Sequence, residues 1–599
     1  MADTQNWLDQ RTGYKSLLHE ALFENVPGGA RWRYVWGSTL TFFFSVQVIT
    51  GLFLWMSYSP SSQSAWESVY FIQHQMWGGW FLRGLHHFVA QAMTVLLVLH
   101  LMQVIIDGAY KAPREVNYWF GVGLLLLTLA LSLTGYLLPW DQNGYWSTAV
   151  STNIVGMSPG VGQSLQPLVV GGVNYGHHTL TRFFALHAGV IPGLIIVLIV
   201  GHVYLFRRHG LTPKQPLKGP DEGFWPEQVL RDAVACLAVL AVVVFFIVRE
   251  HGAPLGAPAD PAEQFSAARP EWYFLFLFQL LKYFPGKTEI LGAIVLPTLS
   301  LVVLCAIPIL GKWKLGHRFN VGFMGVMLAG VALLTWQAFA ADRDDAEFQV
   351  AKAVASRDAA RAVELAEGGV PITGALSLVR NDAYTQGPRI FSRNCASCHR
   401  YDGHDGMGNA LPPDSISASD LKGFGSRAWV TGFLNADSIL TKKYWGGNEH
   451  AEGDMALWLS DHIPETDMSR TTRANVVLAL SSRAKLPSQA ALDIKDSARI
   501  ALGLQFMRDT AVGCADCHVF QDVGTDSPEL TEWGSRKWMT EFVHDPSHPK
   551  FFGRDNDRMP SFGKEKSLSD REIEMVVDWI RGEWYRPKAV PGAPAGGRR

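Results

Sequence analysis

Seven stretches without Asp, Glu, Lys or Arg constrain this chain more than any other feature of its sequence. A bilayer core about 30 Å thick needs about 20 apolar residues to be crossed by a helix. Within lipid, only helices and closed barrels satisfy their own backbone polar groups. We therefore predict seven transmembrane helices, of which the fifth has to borrow residues from its flanks. The stretches are 35–57, 84–106, 116–140, 183–206, 233–248, 290–311 and 319–341.

The distribution of Lys and Arg predicts the orientation. The N-terminal arm and the loops after the second, fourth and sixth stretches are basic, whereas the alternate loops carry few basic residues. By the positive-inside rule the N-terminus is cytoplasmic. An odd number of helices then puts everything after about residue 342 in the periplasm of a bacterium, outside its cytoplasmic (inner) membrane. The net charge of −2 argues against a nucleic-acid partner.

Four histidines recur at nearly equal spacing on two of the apolar stretches. The two pairs are separated by 14 and 15 residues, which is about four helical turns and ~21 Å. Two such helices side by side would hold two porphyrins at two depths, each between one His of each helix. A lone His in an apolar helix is more often a hydrogen-bonded core residue, but ionisable groups inside a membrane usually have a function. The histidines are His86 and His100 on one stretch and His187 and His202 on the other.

Glycines repeat the same period on the first and third stretches. Gly37 and Gly51 are 14 residues apart, as are Gly121 and Gly135. Small residues of this kind are ordinary helix-packing points in membranes. The period that they share with the histidines favours flat rings pressed against bare backbone.

After residue 342 the chain becomes charged and soluble in character. Residues 346–367 predict an exposed amphipathic helix, which Gly368, Gly369 and Pro371 end. Two Cys-x-x-Cys-His motifs follow, and this is the attachment signature of c-type haem. A zinc site or a redox disulfide is the alternative, although a zinc site normally has four ligands. The motifs consist of Cys395, Cys398 and His399, and of Cys514, Cys517 and His518.

An internal repeat surrounds these motifs. Gly425-Ser-Arg-Ala-Trp429 recurs as Gly534-Ser-Arg-Lys-Trp538, and Lys443-Tyr-Trp-Gly446 recurs as Lys550-Phe-Phe-Gly553. The repeat predicts two related haem c domains in tandem. It leads to Met559 as the sixth ligand of the second haem and to Met455 for the first, where His450 and Met407 are rivals. Thioether ligands raise haem potential, which suits a terminal acceptor.

Three further motifs carry a resemblance to a known family: Arg83-Gly-Leu-His86, Leu138-Pro-Trp-Asp141 and Pro270-Glu-Trp-Tyr273. Residues 1 to about 341 resemble cytochrome b of the quinol:cytochrome c reductases, in the branch that splits it into cytochrome b6 and subunit IV. The tail resembles the dihaem cytochromes c of bacterial bc complexes. The implied fold is all-α, with a seven-helix cytochrome b core and two tandem cytochrome c domains. The implied parts are 1–215 (four-helix dihaem domain), 216–341 (three-helix domain), 342–385 (linker with an amphipathic helix), 386–490 (first cytochrome c domain) and 491–599 (second).

The resemblance implies two non-covalent haem b groups besides the two covalent haem c groups. His86 with His187 would ligate the upper haem b, and His100 with His202 the lower one. It also implies contacts with haem b from Gly37, Gly51, Arg83, Gly121, Gly135 and Arg207, with Arg207 and Arg208 pairing with propionates. In that branch a cysteine tethers an extra haem, but Val35 falls at its position here. We expect no tethered haem.

The resemblance further implies a Q-cycle, in which electron bifurcation at a quinol site translocates protons. Glu271 would be the base that accepts a quinol proton, aided by Tyr273, within a site formed by Pro270, Glu271, Trp272 and Tyr273. A carboxyl group in such an apolar setting has a raised pKa, as acid–base work near neutral pH requires. The alternative is a structural charge at a helix start. Glu222 and Glu227 would relay protons at the lower quinone site, unless they are ordinary loop charges.

The sequence has no Rieske signature of Cys and His ligands, so we expect the Rieske iron–sulfur protein as a separate subunit. Other expected partners are the membrane quinone pool, a soluble or membrane cytochrome c acceptor and a second copy in a homodimeric complex. Two functions of other classes stay open. One is a membrane-anchored multihaem carrier without quinol oxidation, and the other is the b-type anchor of another respiratory dehydrogenase.

Overall fold

The structure is a computed structural model that describes residues 2–212, 219–412, 417–446, 448–462, 467–509, 514–520, 527–556 and 558–586. Nearly all of its regular structure is helical. The chain divides into two compact units. Unit 1 consists of Met1–Val363 with Ile372–Leu376, and unit 2 consists of Glu364–Pro371 with Ser377–Arg599.

The N-terminal part of the chain is built from long apolar helices joined by shorter ones. Short 3-10 or π turns begin or extend several of these helices. These turns are Trp32–Tyr34, Phe71–Gln75, Leu186–Val190, Phe224–Gln228, Trp272–Phe274, Gly286–Thr288 and Leu291–Val295. The α-helices are α1 Ala2–Thr12, α2 Tyr14–Leu22, α3 Val35–Trp55, α4 Ala65–Tyr70, α5 Gly79–Ile106, α6 Glu115–Tyr136, α7 Gln142–Gly156, α8 Gly162–Val170, α9 His177–Ala185, α10 Ile191–His209, α11 Val229–Glu250, α12 Leu275–Lys282, α13 Leu296–Leu310, α14 Gly316–Asp344 and α15 Ala346–Ala366.

Seven helical segments of the described chain are long and apolar enough to cross a membrane, which confirms the predicted number. Each overlaps one of the uncharged stretches. The fifth runs over Phe224–Glu250 and so takes residues from both flanks of 233–248, as its short uncharged length required. The others are Trp32–Trp55, Gly79–Ile106, Glu115–Tyr136, His177–His209, Gly286–Leu310 and Gly316–Asp344. The chain is therefore a multi-pass membrane protein.

Helix pairs organise unit 1. Helix α3 packs on α5 and α6 packs on α10, and these four helices, with the π turn Leu186–Val190 that precedes α10, carry the histidines and glycines of equal period. Helix α11 covers α3 and α5, where Phe43, Val89 and Ile247 are fully buried. Helix α12 packs on α14. The four-helix part thus contains the predicted haem b residues, and the remaining helices lie around it.

A short antiparallel pairing ties the N-terminal arm to the chain before α11. Strand β1 (Asn25–Val26) pairs with β2 (Glu222–Gly223). The Glu222 carboxylate accepts a hydrogen bond from the Ala30 backbone N–H at 2.9 Å. One of the two glutamates predicted for the lower quinone site is therefore engaged with the arm.

Unit 2 contains both Cys-x-x-Cys-His motifs and one continuous hydrophobic core. Short 3-10 turns lie at Glu449–Glu452, Pro487–Gln489, Cys514–Asp516 and Gly553–Asp555. Its helices, together with α16 at the boundary of the two units, are α16 Leu376–Arg380, α17 Ala383–Asn394, α18 Arg427–Phe433, α19 Ala436–Ile439, α20 Asp454–His462, α21 Asp467–Arg483, α22 Ala490–Lys495, α23 Ser497–Met507, α24 Arg536–His544 and α25 Asp570–Arg581.

The sequence repeat is also a structural repeat. The Ser426 hydroxyl caps α18 by accepting from the Trp429 N–H, and the Ser535 hydroxyl caps α24 by accepting from the Trp538 N–H. Each tryptophan indole then donates to a backbone carbonyl nine residues earlier, Asp420 in one copy and Glu529 in the other. Equivalent residues thus fix equivalent turns next to each haem motif.

In each copy of the repeat, the first helix packs on the last helix of the other copy. Helix α17 leads into Cys395 but packs on α25, the last helix of the second copy. Helix α23 leads towards Cys514 but packs on α21, the last helix of the first copy. Gly387 lies against Trp579 at the first crossing, and Gly503 lies against Asn475 and Ala479 at the second. The predicted boundary near residue 490 therefore divides the repeat in sequence, whereas the core of unit 2 is shared.

We expect Gly503→Val to destabilise the whole haem c unit by about 1–3 kcal/mol, the usual effect of overpacking a core. A Cβ at Gly503 would overlap the Asn475 carbonyl oxygen and lie 2.8 Å from the Ala479 Cβ. Thermal unfolding of the purified protein, followed through haem c absorbance, measures the effect. Ala501→Val, on the exposed face of the same helix, is the matched control and should leave the midpoint unchanged. Unfolding of one haem c site with the other retained would contradict the shared core.

Candidate functional site

The four histidines of equal spacing meet in two pairs. The ring centroids of His86 and His187 are 6.2 Å apart, and those of His100 and His202 are 6.4 Å apart. We call these the upper and the lower pair. An iron between two imidazole nitrogens at about 2 Å each, as in other metal–His bonds, requires a centroid separation of about this size. Both pairs therefore have the spacing that one bis-histidine metal needs.

The ring nitrogens of the upper pair are oriented by their neighbours. The Thr50 hydroxyl donates to the Val46 carbonyl at 2.7 Å, so it can accept from His86 Nδ1, which is 2.9 Å away. His187 Nδ1 donates to the Leu131 carbonyl at 3.1 Å. Such bonds fix the tautomer and leave Nε2 for a metal.

The lower pair is less symmetric. His202 Nδ1 donates to the Asn117 carbonyl at 3.0 Å. His100 Nδ1 is buried without a hydrogen-bond partner. In the lower pair, therefore, only the His202 ring is oriented by a hydrogen bond through Nδ1.

Each predicted glycine lies against one of these histidines. An added Cβ at Gly37 would lie 3.6 Å from His100 Cε1, and one at Gly51 would lie 3.3 Å from His86 Cε1. Gly121 faces His202 in the same way at 3.5 Å, and Gly135 faces His187 at 2.6 Å. Bare backbone therefore adjoins each ring, and a side chain at any of these four positions would lie against the histidine.

His187 lies in the π turn Leu186–Val190, between α9 and α10. A π turn holds one residue more than an α turn and is frequent at functional sites. The 15-residue spacing of His187 and His202 thus spans nearly the same length as the 14-residue spacing on α5. Both pairs can therefore form between the same helices.

The arginines predicted to contact haem b have protein partners. Arg83 donates to the Ala253 carbonyl at 2.8 Å, to the Pro254 carbonyl at 2.6 Å and to Gln73. It holds the loop after α11 against the start of α5. Arg207, at the end of α10, lies 3.8 Å from Glu24. Their contacts with a haem remain predictions.

Glu271 lies at the start of a short aromatic helix, as predicted. The turn Trp272–Phe274 follows it and leads into α12. Burial, reinforced by the negative charge of Asp141, raises the pKa of Glu271 to about 7. Its side chain makes no capping hydrogen bond to the helix.

Three further groups surround Glu271. Tyr136 and Tyr273 both lie within electrostatic reach of its carboxylate, and burial raises the pKa of Tyr273. Asp141 is buried and accepts from the backbone N–H groups of Gly144 and Gly256, each at 2.9 Å. We call Glu271, Tyr136, Asp141 and Tyr273 the acid–base cluster. Leu138-Pro-Trp-Asp141 gave the sequence signal for Asp141, but only the fold places it beside Glu271.

The remaining aromatic residue of the motif reaches α5. The Trp272 indole donates to Gln91 Oε1 at 3.2 Å, and Gln91 Nε2 lies 2.8 Å from a ring nitrogen of His87. Pro270 precedes Glu271 and links it to Arg269. The predicted quinol-site residues 270–273 thus form one continuous segment between α5, α6 and α12.

The two glutamates predicted for the lower quinone site are exposed. Glu227 lies 3.8 Å from Arg231 with its side chain 53% exposed, and Glu222 is held by the N-terminal arm. Near them Asp232 is buried and accepts from Gln228 Nε2 at 2.8 Å. Sequence reasoning missed Asp232 because it lies one residue before the uncharged stretch 233–248. A buried carboxylate within a membrane span usually has a function.

The histidines of the two haem c motifs make matching hydrogen bonds. His399 Nδ1 donates to the Ser419 carbonyl at 2.8 Å, and His518 Nδ1 donates to the Pro528 carbonyl at 2.9 Å. Cys395, Cys398, Cys514 and Cys517 are not paired as disulfides. Met455 and Met559 both pack on the core of unit 2. The exposed His450 instead stacks on Phe552.

We expect Met455→Ala to lower the potential of one haem c by up to a few hundred millivolts, within the roughly 0.8 V range that axial ligands set. The packing of Met455 on the core favours it over its two rivals. Redox titration of the purified protein measures the change, with Met559→Ala acting on the other haem c. His450→Ala and Met407→Ala are the controls. A fall in potential with His450→Ala, and none with Met455→Ala, would contradict the assignment.

Comparisons with known proteins agree with the resemblance. Residues 91–263 match the family "Cytochrome b(N-terminal)/b6/petB", and residues 258–351 match "Cytochrome b(C-terminal)/b6/petD". Residues 507–580 match "Cytochrome C oxidase, cbb3-type, subunit III". The family matches thus cover parts of both units.

Individual relatives are cytochrome b proteins. Cytochrome b6 of Synechococcus sp. (strain JA-3-3Ab) is 35% identical over 35% of this chain and 99% of its own length. The menaquinol:cytochrome c reductase cytochrome b subunit of Bacillus subtilis (strain 168) is 36% identical over 35% of this chain and 96% of its own. Cytochrome b of Cereibacter sphaeroides is 33% identical over 47% of this chain, which spans 66% of that relative.

Proposed function

The chain belongs to the cytochrome b family, and from this premise we propose that it is the quinol-oxidising subunit of a quinol:cytochrome c reductase. Quinol oxidation follows a Q-cycle with proton translocation, and electrons leave through the haem c unit of the same chain. The complex lies in a bacterial cytoplasmic membrane, with the N-terminus cytoplasmic and unit 2 periplasmic. This orientation rests on the basic loops.

One observation carries the proposal: the acid–base cluster adjoins the upper histidine pair. Gly135 faces His187, and the hydroxyl of the next residue, Tyr136, donates at 3.3 Å to the carbonyl of Arg269, two residues before Glu271. A quinol between them would have a proton acceptor on one side and a redox site on the other. A half-buried carboxylate whose pKa is raised to about 7 at this place suits quinol oxidation better than a carrier function.

The residues present fit two haem b and two haem c groups. His86 with His187 and His100 with His202 would hold haem b, with the four glycines against the rings. Cys395, Cys398, His399 and Met455 would hold one haem c, and Cys514, Cys517, His518 and Met559 the other. When bound, these groups supply one-electron acceptors.

The protein's own groups handle the protons. Near pH 7 the Glu271 carboxyl is populated in both protonation states, so it can take a proton from a quinol hydroxyl and release it again. The raised pKa of Tyr273 keeps its hydroxyl protonated as a hydrogen-bond donor. Trp272, held by Gln91, closes the site on the side of α5. At the other end of the bundle, Glu222, Glu227 and the buried Asp232 are the proton-carrying candidates of the lower quinone site.

The proposal is tested by the reduction of haem c with quinol in the purified complex. We expect a synthetic quinol to reduce haem c, and an inhibitor of the quinol-oxidation site to abolish this. Haem analysis should count two haem b, and intact mass should show two covalent haems, both after residue 342. A Rieske protein should copurify with the complex, and its removal should stop haem c reduction.

The alternatives predict other outcomes. An anchor of another dehydrogenase would exchange electrons between quinol and haem b without reducing haem c. A pure carrier would accept electrons from a protein donor and be insensitive to the inhibitor. A third covalent haem in the membrane part would contradict the argument from Val35.

A further inference from the structure

Arg269 lies directly before the quinol-site segment 270–273, and its side chain contacts a carboxylate and two aromatic rings. Its Nε donates to both carboxylate oxygens of Asp342, at 2.9 and 3.1 Å, and its Nη2 donates to Oδ1 at 2.8 Å. Asp342 lies near the end of α14. The two side chains are only 20% and 14% exposed. A forked arginine–carboxylate pair of this kind is the strong and directional form of an ion pair.

Aromatic rings complete the arginine site. The guanidinium carbon lies 3.8 Å from the ring centroid of Phe348 on α15 and 4.9 Å from that of Phe278 on α12. Both distances are within the range of cation–π attraction. The fork and the stacking both need a planar guanidinium, so lysine cannot replace them.

The backbone of Arg269 is held from the other side. Its carbonyl accepts from the Tyr136 hydroxyl and from the Ser147 hydroxyl, each at 3.3 Å. Tyr136 is a member of the acid–base cluster. Pro270, whose ring fixes φ, is the only residue between Arg269 and Glu271. The backbone conformation at Arg269 therefore helps to fix the position of the Glu271 side chain.

Resting on the proposed function, we propose that Arg269 is a positioning residue for quinol oxidation: its clamp on Asp342, Phe278 and Phe348 holds Glu271 in the acid–base cluster. The clamp acts on Glu271 through the backbone of residues 269–271, not through a contact between the two side chains. The groups that face Glu271 are Tyr136 on α6, Asp141 before α7 and its own neighbour Tyr273, with Arg83 of α5 beside Asp141. Arg269 instead faces α12, α14 and α15.

Loosening the clamp lets the segment move and admits water to Glu271. Turnover of Arg269→Gln should fall roughly ten- to hundredfold, the scale for a misplaced catalytic group, with haem content intact. Because burial is what raises the pKa of Glu271, hydration should lower it, and the pH at half-maximal rate should fall. Arg269→Lys should recover only part of the rate.

Asp342→Asn removes the ion pair but leaves the two aromatic contacts, so it should reproduce most of the Arg269→Gln defect, and the double variant should be no worse than Arg269→Gln. Arg343→Gln is the matched control. Arg343 is next to Asp342 in sequence, but it forms an exposed pair with Asp344, with side chains 77% and 69% exposed. It should leave rate and pH profile unchanged.

A readout without quinol separates this inference from the proposed function. The infrared band of the protonated Glu271 carboxyl, identified by its loss in Glu271→Gln, can be titrated in the resting complex. Its midpoint should be lower in Arg269→Gln and unchanged in Arg343→Gln. A shifted band in a protein that never oxidises quinol would overturn the proposed function but not the clamp. An unchanged band and unchanged turnover in Arg269→Gln, or additive losses in the double variant, would overturn the clamp.

Discussion

Glu271→Gln should slow quinol-dependent reduction of haem c by roughly 10²- to 10⁴-fold, the usual loss on removing a general base. Glutamine keeps the shape of the side chain and much of its hydrogen bonding, but it cannot accept the proton. Because the Glu271 side chain makes no capping hydrogen bond, replacing it with glutamine should not weaken the helix that follows. All four haem spectra should therefore stay intact. The measurement is turnover per haem b in the purified complex.

The pH profile makes this prediction sharper. The pKa of Glu271 is raised to about 7, and the base works only when deprotonated, so the wild-type rate should rise as the pH passes upward through about 7. The residual rate of Glu271→Gln should lack this rise. Glu250→Gln, at an acidic residue whose side chain is 52% exposed, is the control and should keep both rate and profile. Normal turnover with normal pH dependence in Glu271→Gln would contradict the catalytic role, and lost haem with normal turnover per intact complex would indicate a structural one.

The membrane architecture could be predicted because its physical cause is visible in the sequence. Charges are largely excluded from spans, so stretches that are both uncharged and strongly apolar indicate the helices, and the short fifth stretch is extended by its flanks. Equal spacing on two helices predicts that the histidines meet in two pairs, whereas the assignment of His86 to His187 and of His100 to His202 came from the family resemblance. The sequence did not explain why His187 and His202 are 15 residues apart when His86 and His100 are 14 apart. The extra residue lies in a π turn, and a π turn has no simple sequence signal.

Contacts between distant segments were beyond sequence reasoning. The repeat predicts two similar haem c copies. Because the copies are similar, the first helix of either copy could pack on the last helix of its own copy or on that of the other. Only packing decides, and α17 lies on α25 while α23 lies on α21. Arg269 and Asp342 are likewise 73 residues apart, and neither is unusual in its local sequence. Asp232 was not predicted for a different reason. An uncharged stretch by definition ends at the nearest charged residue, so Asp232 was assigned to the flank of 233–248.

His100→Leu should remove the lower haem b and leave the upper one in place. The lower pair has a centroid separation of 6.4 Å, with Gly37 and Gly121 against its rings, and leucine supplies no ligand. The upper pair has its own glycines and its own orienting bonds to Thr50 and the Leu131 carbonyl, so it does not depend on His100. Haem extraction should count one haem b instead of two. Both covalent haems should remain.

His202→Leu should have the same effect, since each iron needs both of its histidines. His87→Leu is the matched control. His87 is also a buried histidine on α5 and follows His86 directly, but its ring is bonded to Gln91 instead of facing a histidine across the bundle. It should keep both haem b groups, although the altered contact of Gln91 with Trp272 can slow quinol oxidation. Two haem b groups in His100→Leu, or loss of the upper haem in place of the lower, would contradict the pairing. Retention of quinol-dependent haem c reduction with only the upper haem b present, at least for a single turnover, would place quinol oxidation at the upper pair, because Glu271 adjoins that pair through Tyr136 and Gly135.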